Sequence, residues 1–426
     1  MAALHRVIRR PGRLLAAAVL LLVVLLVALA WWGNRDTTPG RTPQKVMLNG
    51  DQLQRARYLV HAGDCVACHQ TEHSAPFAGG FPIQTPFGTV YGTNITSHPD
   101  RGIGRWTADE FYRAVTRGQA PGGRNLYPAM PYVSYHRMAR EDADLIYGYL
   151  MAMPPSAQRN RPPDVPFPLN LRILLSGWNL LFFDSDPLPA VSAGSSAAWQ
   201  RGRYLTNTMG HCGECHTPRG LLGQLERGAW FGGHAINRYL APDLSPQGLA
   251  GRGWRPVDVV SFLRNGQSER GSAYDEMAPV VRHSSQHLSD GDLYAVATFL
   301  LGDAPPTPAT LAVPKALPAD DPGRRQYLAL CAGCHGADGL GLPHTVPPLA
   351  GGSTVRNANA RNLLQVMIDG LPASRLNRHT AMAGMPAFDH LADADLAAIA
   401  NHCRTTWGAH AADVDAAQVA RLRPKP

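Results

Sequence analysis

The sequence contains one five-residue pattern, Cys-x-x-Cys-His, three times: CVACH, CGECH and CAGCH, beginning at Cys65, Cys212 and Cys331. With seven cysteines and 17 histidines in 426 residues, the number of matches expected by chance is on the order of 0.005. On one turn of helix, the sulfurs at positions i and i+3 face the same side, and the histidine at i+4 follows there. This order suits thioether bonds to the two vinyl groups of a haem, with the histidine ligating its iron.

The pattern therefore predicts three covalently bound haem c groups. The predicted attachment residues are Cys65, Cys68, Cys212, Cys215, Cys331 and Cys334, and the predicted iron ligands on the same segments are His69, His216 and His335. A structural zinc site would need four ligands, and no second Cys or His pair lies at regular spacing near any motif. A redox dithiol needs one such pair beside a strand and a helix, not three pairs each followed by His. The seventh cysteine, Cys403, lies at an apolar position of a predicted helix and is expected to be a small buried residue.

A second iron ligand is predicted at a repeated distance from each histidine. Met130 follows His69 by 61 residues, and Met277 follows His216 by the same 61. In a shorter third unit, Met385 follows His335 by 50 residues. A thioether ligand favours a low-spin iron and fills the position where oxygen or peroxide would bind, so these sites would transfer electrons. Four nearby residues remain alternatives: His136, Met138, His283 and Met382.

A run of 19 residues without a charge, from Leu14 to Trp32, follows four arginines near the N-terminus. As a helix it would be roughly 28 Å long, close to the hydrocarbon core of a bilayer at about 30 Å. The length and the Trp31-Trp32 pair favour an uncleaved membrane anchor. A cleavable signal peptide is the alternative, because Ala28-Leu29-Ala30 matches a cleavage site. In both cases the arginines stay in the cytoplasm and the rest of the chain is exported.

The segments around the three motifs repeat as well. A Tyr-Leu helix precedes each motif, an amphipathic helix follows it, and a helix with an acidic start follows each methionine. We therefore predict an all-α fold of three small tandem units behind an N-terminal apolar helix. The predicted units are 46–155, 196–303 and 321–410, separated by Pro-rich linkers at 156–195 and 304–320, with an N-terminal anchor or signal plus linker at 1–45 and a tail at 411–426.

These features together resemble a known family. The three haem motifs, the NIT turn after GTVYGT, the AMPY and GMPAF methionine loops and the closing TTWG are similar to the three-haem cytochrome c subunit of bacterial membrane-bound dehydrogenases for alcohol, gluconate, sorbitol, fructose or aldehyde. The similarity extends from about residue 46 to 410. It implies tandem cytochrome c-type domains. One departure is that the second unit reads APDLSP where the NIT turn is expected.

The resemblance also implies a function. The chain would be a non-catalytic electron-transfer subunit on the periplasmic side of the bacterial inner membrane. It would receive electrons from a catalytic dehydrogenase of flavin, quinone or molybdenum type and pass them to ubiquinone or another respiratory acceptor. A multihaem peroxidase and a free periplasmic electron shuttle are the alternative functions.

Two further segments bear on the partners of the chain. The formal charge of +8 includes the four N-terminal arginines, and the remaining basic residues form no stripe of the kind that binds nucleic acid, so no nucleic-acid partner is expected. The apolar stretch LRILLSGWNLLFF, residues 171–183, is expected to pack between domains or to contact a membrane or a partner.

Overall fold

The computed structural model describes residues 14–18, 20–21, 24–25, 28, 46–183, 194–310 and 318–424. The described chain is mostly helical, and its short strands form two-stranded antiparallel hairpins. It divides into two compact units. The first unit contains 46–53 and 68–183, and the second contains 54–67, 194–310 and 318–424. The second and third haem motifs therefore share one compact unit, whereas the unit boundary divides the first motif between Ala67 and Cys68.

The first repeat has the order helix, motif helix, hairpin, helix, hairpin, two helices. Its elements are α1 (Gly50–Ala62), α2 (Cys65–His69), β1 (Pro82–Thr85), β2 (Gly88–Tyr91), α3 (Ala108–Arg117), β3 (Gln119–Ala120), β4 (Arg124–Asn125), α4 (Tyr132–Tyr135) and α5 (Arg140–Ala152), and the following linker contains α6 (Leu174–Phe182). The register of the first hairpin pairs Pro82 with Tyr91 and Thr85 with Gly88.

The second repeat has the same order of motif helix, hairpin, helix, hairpin and final helix. Its elements are α7 (Ala197–Arg203), a π-helix (Tyr204–Met209), α8 (Gly213–His216), β5 (His234–Ile236), β6 (Tyr239–Ala241), α9 (Pro246–Gly251), α10 (Pro256–Asn265), β7 (Gln267–Ser268), β8 (Gly271–Ser272), α11 (Met277–His283) and α12 (Asp290–Leu301).

The third repeat is shorter because the first of the two hairpins is missing from its described residues. Its elements are α13 (Pro322–Leu330), α14 (Ala332–His335), α15 (Ser353–Arg356), α16 (Arg361–Asp369), β9 (Ser374–Arg375), β10 (Ala381–Met382), α17 (Asp393–Trp407) and α18 (Ala416–Leu422). The predicted tail at 411–426 contains α18, and Val419 of this helix is fully buried in the core of the third repeat.

Glycines permit the close helix contacts that hold the second and third repeats together. A Cβ added at Gly202 in α7 would lie 1.9 Å from the carbonyl oxygen of Ala295 in α12. A Cβ added at Gly323 in α13 would lie 2.1 Å from the carbonyl oxygen of Ala398 in α17. In each case the helix before the haem motif crosses the final helix of its repeat with the two backbones in contact.

Three histidines of the second unit form a cluster, which we call the histidine cluster: His61, His283 and His287. The rings of His61 and His287 stack with their centroids 3.9 Å apart. The Nδ1 of His61 lies 2.9 Å from the carbonyl oxygen of His283. Burial is the main cause that lowers the pKa of all three, and the charge of a neighbouring histidine lowers it further for His283 and His287. The cluster therefore favours neutral imidazoles.

The prediction of a mostly helical fold is confirmed, and the hairpins add strands that the sequence analysis did not include. Cys403 is 2% exposed, as predicted. Within the described ranges, no helix has the length and apolar character needed to cross a bilayer. The run from Leu14 to Trp32, on which the anchor prediction depends, lies mostly outside those ranges. The proposed domain boundaries stay predictions.

Candidate haem sites

Each Cys-x-x-Cys-His histidine has the same hydrogen-bond partner, a backbone carbonyl on a later loop. The Nδ1 atoms of His69, His216 and His335 lie 2.7, 2.7 and 3.2 Å from the carbonyl oxygens of Thr93, Pro242 and Pro347 respectively. A carbonyl can only accept, so in each ring Nδ1 carries the proton and Nε2 keeps its lone pair. This is the state in which an imidazole binds a metal through Nε2.

Burial reinforces that state. It lowers the pKa of all three histidines, and the pKa of His216 falls to about 4. The imidazoles are therefore neutral at physiological pH. Burial also raises the pKa of Cys212 to about 12, opposite to the lowered thiol pKa of reactive redox cysteines. The structure pairs none of the seven cysteines in a disulfide.

The loop after each motif folds back on the histidine in the same way in all three repeats. The backbone N–H groups of Gly79, Gly233 and Gly341 donate to the carbonyl oxygens of His69, His216 and His335. All three glycines have a positive φ, between +65° and +85°, which glycine adopts without strain. The sequence analysis did not identify these glycines, although each lies six to seventeen residues after its histidine.

The APDLSP segment of the second repeat performs the same role as the NIT turn, despite its different sequence. In the first repeat, Asn94 follows the acceptor Thr93, and its side chain accepts from the backbone N–H of Thr96 at 3.0 Å. In the second repeat, Asp243 follows the acceptor Pro242 and accepts from the backbone N–H of Ser245 at 2.6 Å. Asn and Asp both form such turns with a backbone N–H two residues on. The departure therefore preserves the carbonyl that the histidine needs.

The predicted methionine ligands follow equivalent hairpins. Gly118 and Gly266 end the amphipathic helices in the left-handed conformation, and their carbonyls accept from the N–H of Leu126 and Ala273, both at 2.7 Å. Met130 and Met277 each come four residues after that donor. In the third repeat, Met385 itself exchanges two 2.9 Å backbone hydrogen bonds with Leu371, which follows the helix-ending Gly370. The equal spacing thus reflects equal hairpin geometry.

Packing separates Met385 from Met382 in the third repeat. Met385 packs on the hydrophobic core that also contacts Cys331 and Ala332 of the third motif. Met382 instead packs, together with Met277, on a cluster formed by Ala273, Ala278, Val281 and Leu376. Met385 is therefore on the third motif's side, and Met382 is on the side of the second repeat. The roles of all three methionines as ligands stay predictions.

The alternative ligands of the first two repeats have other contacts. Met138 is 5% exposed in the core, and the ring of His136 contacts Phe183 edge-on. His283 belongs to the histidine cluster. Within the described residues, no group of three or more His, Cys, Asp or Glu side chains is arranged to hold a metal ion, so the ligand set of a structural zinc site is not found there.

Comparison with known proteins agrees with this geometry. The cytochrome c family matches residues 321–407. The chain is 36% identical over 392 residues to the cytochrome c subunit of a quinone alcohol dehydrogenase from Gluconobacter oxydans, covering 87% of this chain and 82% of the relative. The chain belongs to the cytochrome c subunits of bacterial membrane-bound dehydrogenases.

Two further relatives extend the comparison to other dehydrogenases. The gluconate 2-dehydrogenase cytochrome c subunit of Pantoea cypripedii is 39% identical over 399 residues, covering 88% of this chain and 90% of the relative. The fructose dehydrogenase cytochrome subunit of Gluconobacter japonicus is 31% identical over 413 residues, covering 89% and 84%. The chain is accordingly an electron-transfer cytochrome subunit and not a catalytic one, and covalently bound haem c is its cofactor.

Sequence reasoning missed one feature of the second site. Trp254, Arg270 and Arg356 are each at most 8% exposed, and each has a side-chain N–H without a hydrogen-bond partner among the described residues. The only signal in the sequence is the RGWR segment, which contains Arg252 and Trp254 but says nothing of the other two arginines.

Proposed function

We propose that this cytochrome subunit binds three haem c groups, one at each Cys-x-x-Cys-His motif, and conducts electrons from a catalytic dehydrogenase subunit to ubiquinone or another respiratory acceptor. The main support is that the same arrangement occurs three times: a motif helix, a histidine Nδ1 bonded to a carbonyl, and a methionine on a following hairpin. The haem supplies one-electron redox chemistry, while the chain holds the imidazole neutral and oriented.

The packing of the second unit supports an electron route with the second motif in the middle. A Cβ added at Gly63, two residues before Cys65, would lie 3.7 Å from the Cε of Met209, three residues before Cys212. On the other side, Met277 and Met382 pack on the same apolar cluster. The first and third motifs therefore both adjoin the second, and electrons would pass through the second haem between the outer two.

Exposed apolar residues support a membrane location on the periplasmic side. Ser176 and Asn179 of α6 face the first repeat, where they bond to Asn125 and Tyr132, both at 2.7 Å. Leu180 and Leu181 of the same helix are 77% and 72% exposed. This outward apolar face suits a lipid surface or the catalytic partner. Together with the predicted anchor at Leu14–Trp32, it supports a periplasmic position at the inner membrane, close to a quinone acceptor.

Intact mass after acid extraction tests the number of haems. Three haem masses should stay attached to the matured chain, and the double variant Cys212→Ser/Cys215→Ser should keep two. Cys403→Ser is the control and should keep three. Retention of two haems or fewer by the unmodified matured chain would contradict the proposal.

The same double variant tests the electron route. The catalytic subunit that co-purifies with the chain should still reduce the haem nearest to it. Reduction of a water-soluble quinone at the far end should fall by at least tenfold, because the middle haem is absent. An unchanged rate of quinone reduction would show that electrons bypass the second motif.

Replacing residues 1–32 with a cleavable signal tests membrane attachment. The chain should then keep its haems but deliver fewer electrons to quinone in membranes. A native N-terminus at Trp31 would instead identify the apolar run as a signal peptide, and attachment would then depend on the partner or on residues 171–183.

A further inference from the structure

The second unit contains four buried cationic or N–H donor side chains that converge where the second and third repeats meet. We call them the donor cluster: Arg252, Trp254, Arg270 and Arg356. Their exposed fractions are 7%, 8%, 8% and 7%. The indole Nε1 of Trp254, the Nε of Arg270, and the Nε and Nη1 of Arg356 have no hydrogen-bond partner among the described residues.

Direct contacts bring the members of the cluster together. The Nε of Arg252 donates to the Oγ of Ser353 at 2.9 Å, and the backbone N–H of Ser353 donates to the carbonyl of Arg270 at 2.6 Å. The Nη2 of Arg356 donates to the carbonyl of Gly251 at 3.2 Å. Arg356 and Ser353 belong to α15 of the third repeat, so the cluster combines both repeats.

The acidic residues nearby do not neutralise the cluster. Asp258 is held by a bidentate hydrogen bond from Arg255 at 2.8 and 2.9 Å, and it lies 3.8 Å from the Nε of Arg270. Glu269 is 75% exposed and lies 3.8 Å from Arg270. A buried guanidinium with unpaired N–H groups is costly, and the cost of leaving several together points to an anion that accepts from them.

The cluster lies on both sides of the second haem motif. The Nη2 of Arg252 donates to the carbonyl of Asp243, the residue after Pro242, whose carbonyl bonds to His216. Arg270 lies in the turn between β7 and β8, on the hairpin that leads to Met277. The side chains thus adjoin the segments that supply both predicted iron ligands of the second haem.

We propose that the donor cluster binds the propionate carboxylates of the haem attached at Cys212 and Cys215, with Arg356 supplied by the third repeat. The planar forks of arginine suit a carboxylate better than any other group, and a haem c has two of them. The inference rests on the proposed haem at the second motif. It makes the third repeat part of the second haem's site, so that the third repeat raises the potential of its neighbour.

The test compares Arg356→Gln with Arg361→Gln in the full haem-loaded chain. Arg361 is the matched control, because it also joins the two repeats, through hydrogen bonds to the carbonyls of Arg238 and Asn237 at 2.7 and 3.2 Å, but belongs to no unsatisfied cluster. Met277→His, which should displace the potential of the second haem, marks its wave in a redox titration.

Arg356→Gln should lower the equilibrium constant for reduction of the marked haem about tenfold, which is about 59 mV for a one-electron couple. Arg361→Gln should leave it unchanged. Trp254→Phe, which removes one N–H and keeps an aromatic ring, should shift the same wave in the same direction. If Arg356→Gln does not fold, Arg356→Lys and Trp254→Phe provide the same comparison.

Three results would overturn the inference: equal potentials in the two glutamine variants, a shift confined to an unmarked wave, or a shift in wild type on exchanging chloride for phosphate, which would indicate a free anion. Absence of a haem at the second motif by mass would instead contradict the proposed function. A haem that is present with an unmoved wave would contradict only the donor cluster's role.

Discussion

Replacing Gly92 with alanine should disturb the first haem site through a steric clash. Gly92 directly follows β2, and a Cβ there would lie 1.7 Å from the carbonyl oxygen of Cys68. To reach a tolerable 3.0 Å, the loop and the motif helix must separate by at least about 1.3 Å. Gly92 cannot easily move, because its N–H and carbonyl are both bonded within the loop, to Phe81 and Gly80, at 2.9 and 2.8 Å.

The expected magnitude follows from that displacement. Overpacking of this kind costs about 1–3 kcal/mol, which should lower the melting temperature of the first unit by roughly 5–20 °C. If the full displacement falls on the neighbouring hydrogen bond from His69 to Thr93, its 2.7 Å length becomes about 4 Å and the bond is lost. The imidazole then becomes a weaker electron donor, so the potential of the first haem should rise.

Thermal unfolding followed by circular dichroism, with a redox titration of the same samples, measures both effects. Gly177→Ala is the matched control, because Gly177 lies in α6 of the same unit with no atom within 4 Å of the added Cβ. It should keep the melting temperature or raise it slightly, since alanine favours helix by up to about 1 kcal/mol. If Gly92→Ala and Gly177→Ala have equal melting temperatures and potentials, the steric argument is wrong.

Three further predictions concern other parts of the chain. Gly202→Ala should destabilise the second unit by about 1–3 kcal/mol in thermal unfolding, because α7 touches α12 there, whereas Gly291→Ala, whose added Cβ meets only one atom at 4.0 Å, should not. Met385→Ala should abolish the sulfur-to-iron charge-transfer band of the third haem and Met382→Ala should keep it; the reverse result would exchange the two assignments. The folded state lowers the pKa values of the histidine cluster below their usual value near 6.5, so it binds fewer protons than the unfolded state, and its stability should fall as pH drops below about 6.5. His287→Gln should flatten that pH dependence in denaturant titrations, and an equally steep dependence would count against the cluster.

The haem motifs, the methionine candidates and the helical class could be predicted from the sequence, because covalent attachment requires residues adjacent along the chain. Cys212, Cys215 and His216 lie on one helical turn, so their spacing is itself the site. The equal offsets of Met130 and Met277 likewise follow from equal numbers of residues in equivalent hairpins. Helices ending in Gly118 and Gly266 could be located for the same local reason.

Tertiary structure decided the contacts between distant segments. The sequence left Met382 and Met385 open, because both precede the same short loop; only packing against different cores separates them. The APDLSP departure was unexplained until the carbonyl of Pro242 was found on His216, because a backbone acceptor has no residue signature.

The donor cluster illustrates the same limit most clearly. Arg252 and Arg356 are 104 residues apart, and their charges suggest exposed surface residues when the chain is considered alone. Their burial follows from the docking of α15 on the second repeat, which no local pattern encodes. Sequence by itself therefore determined which residues can attach a haem, since that chemistry is local, whereas the fold decided which distant side chains surround it, since burial depends on the packing of the whole unit.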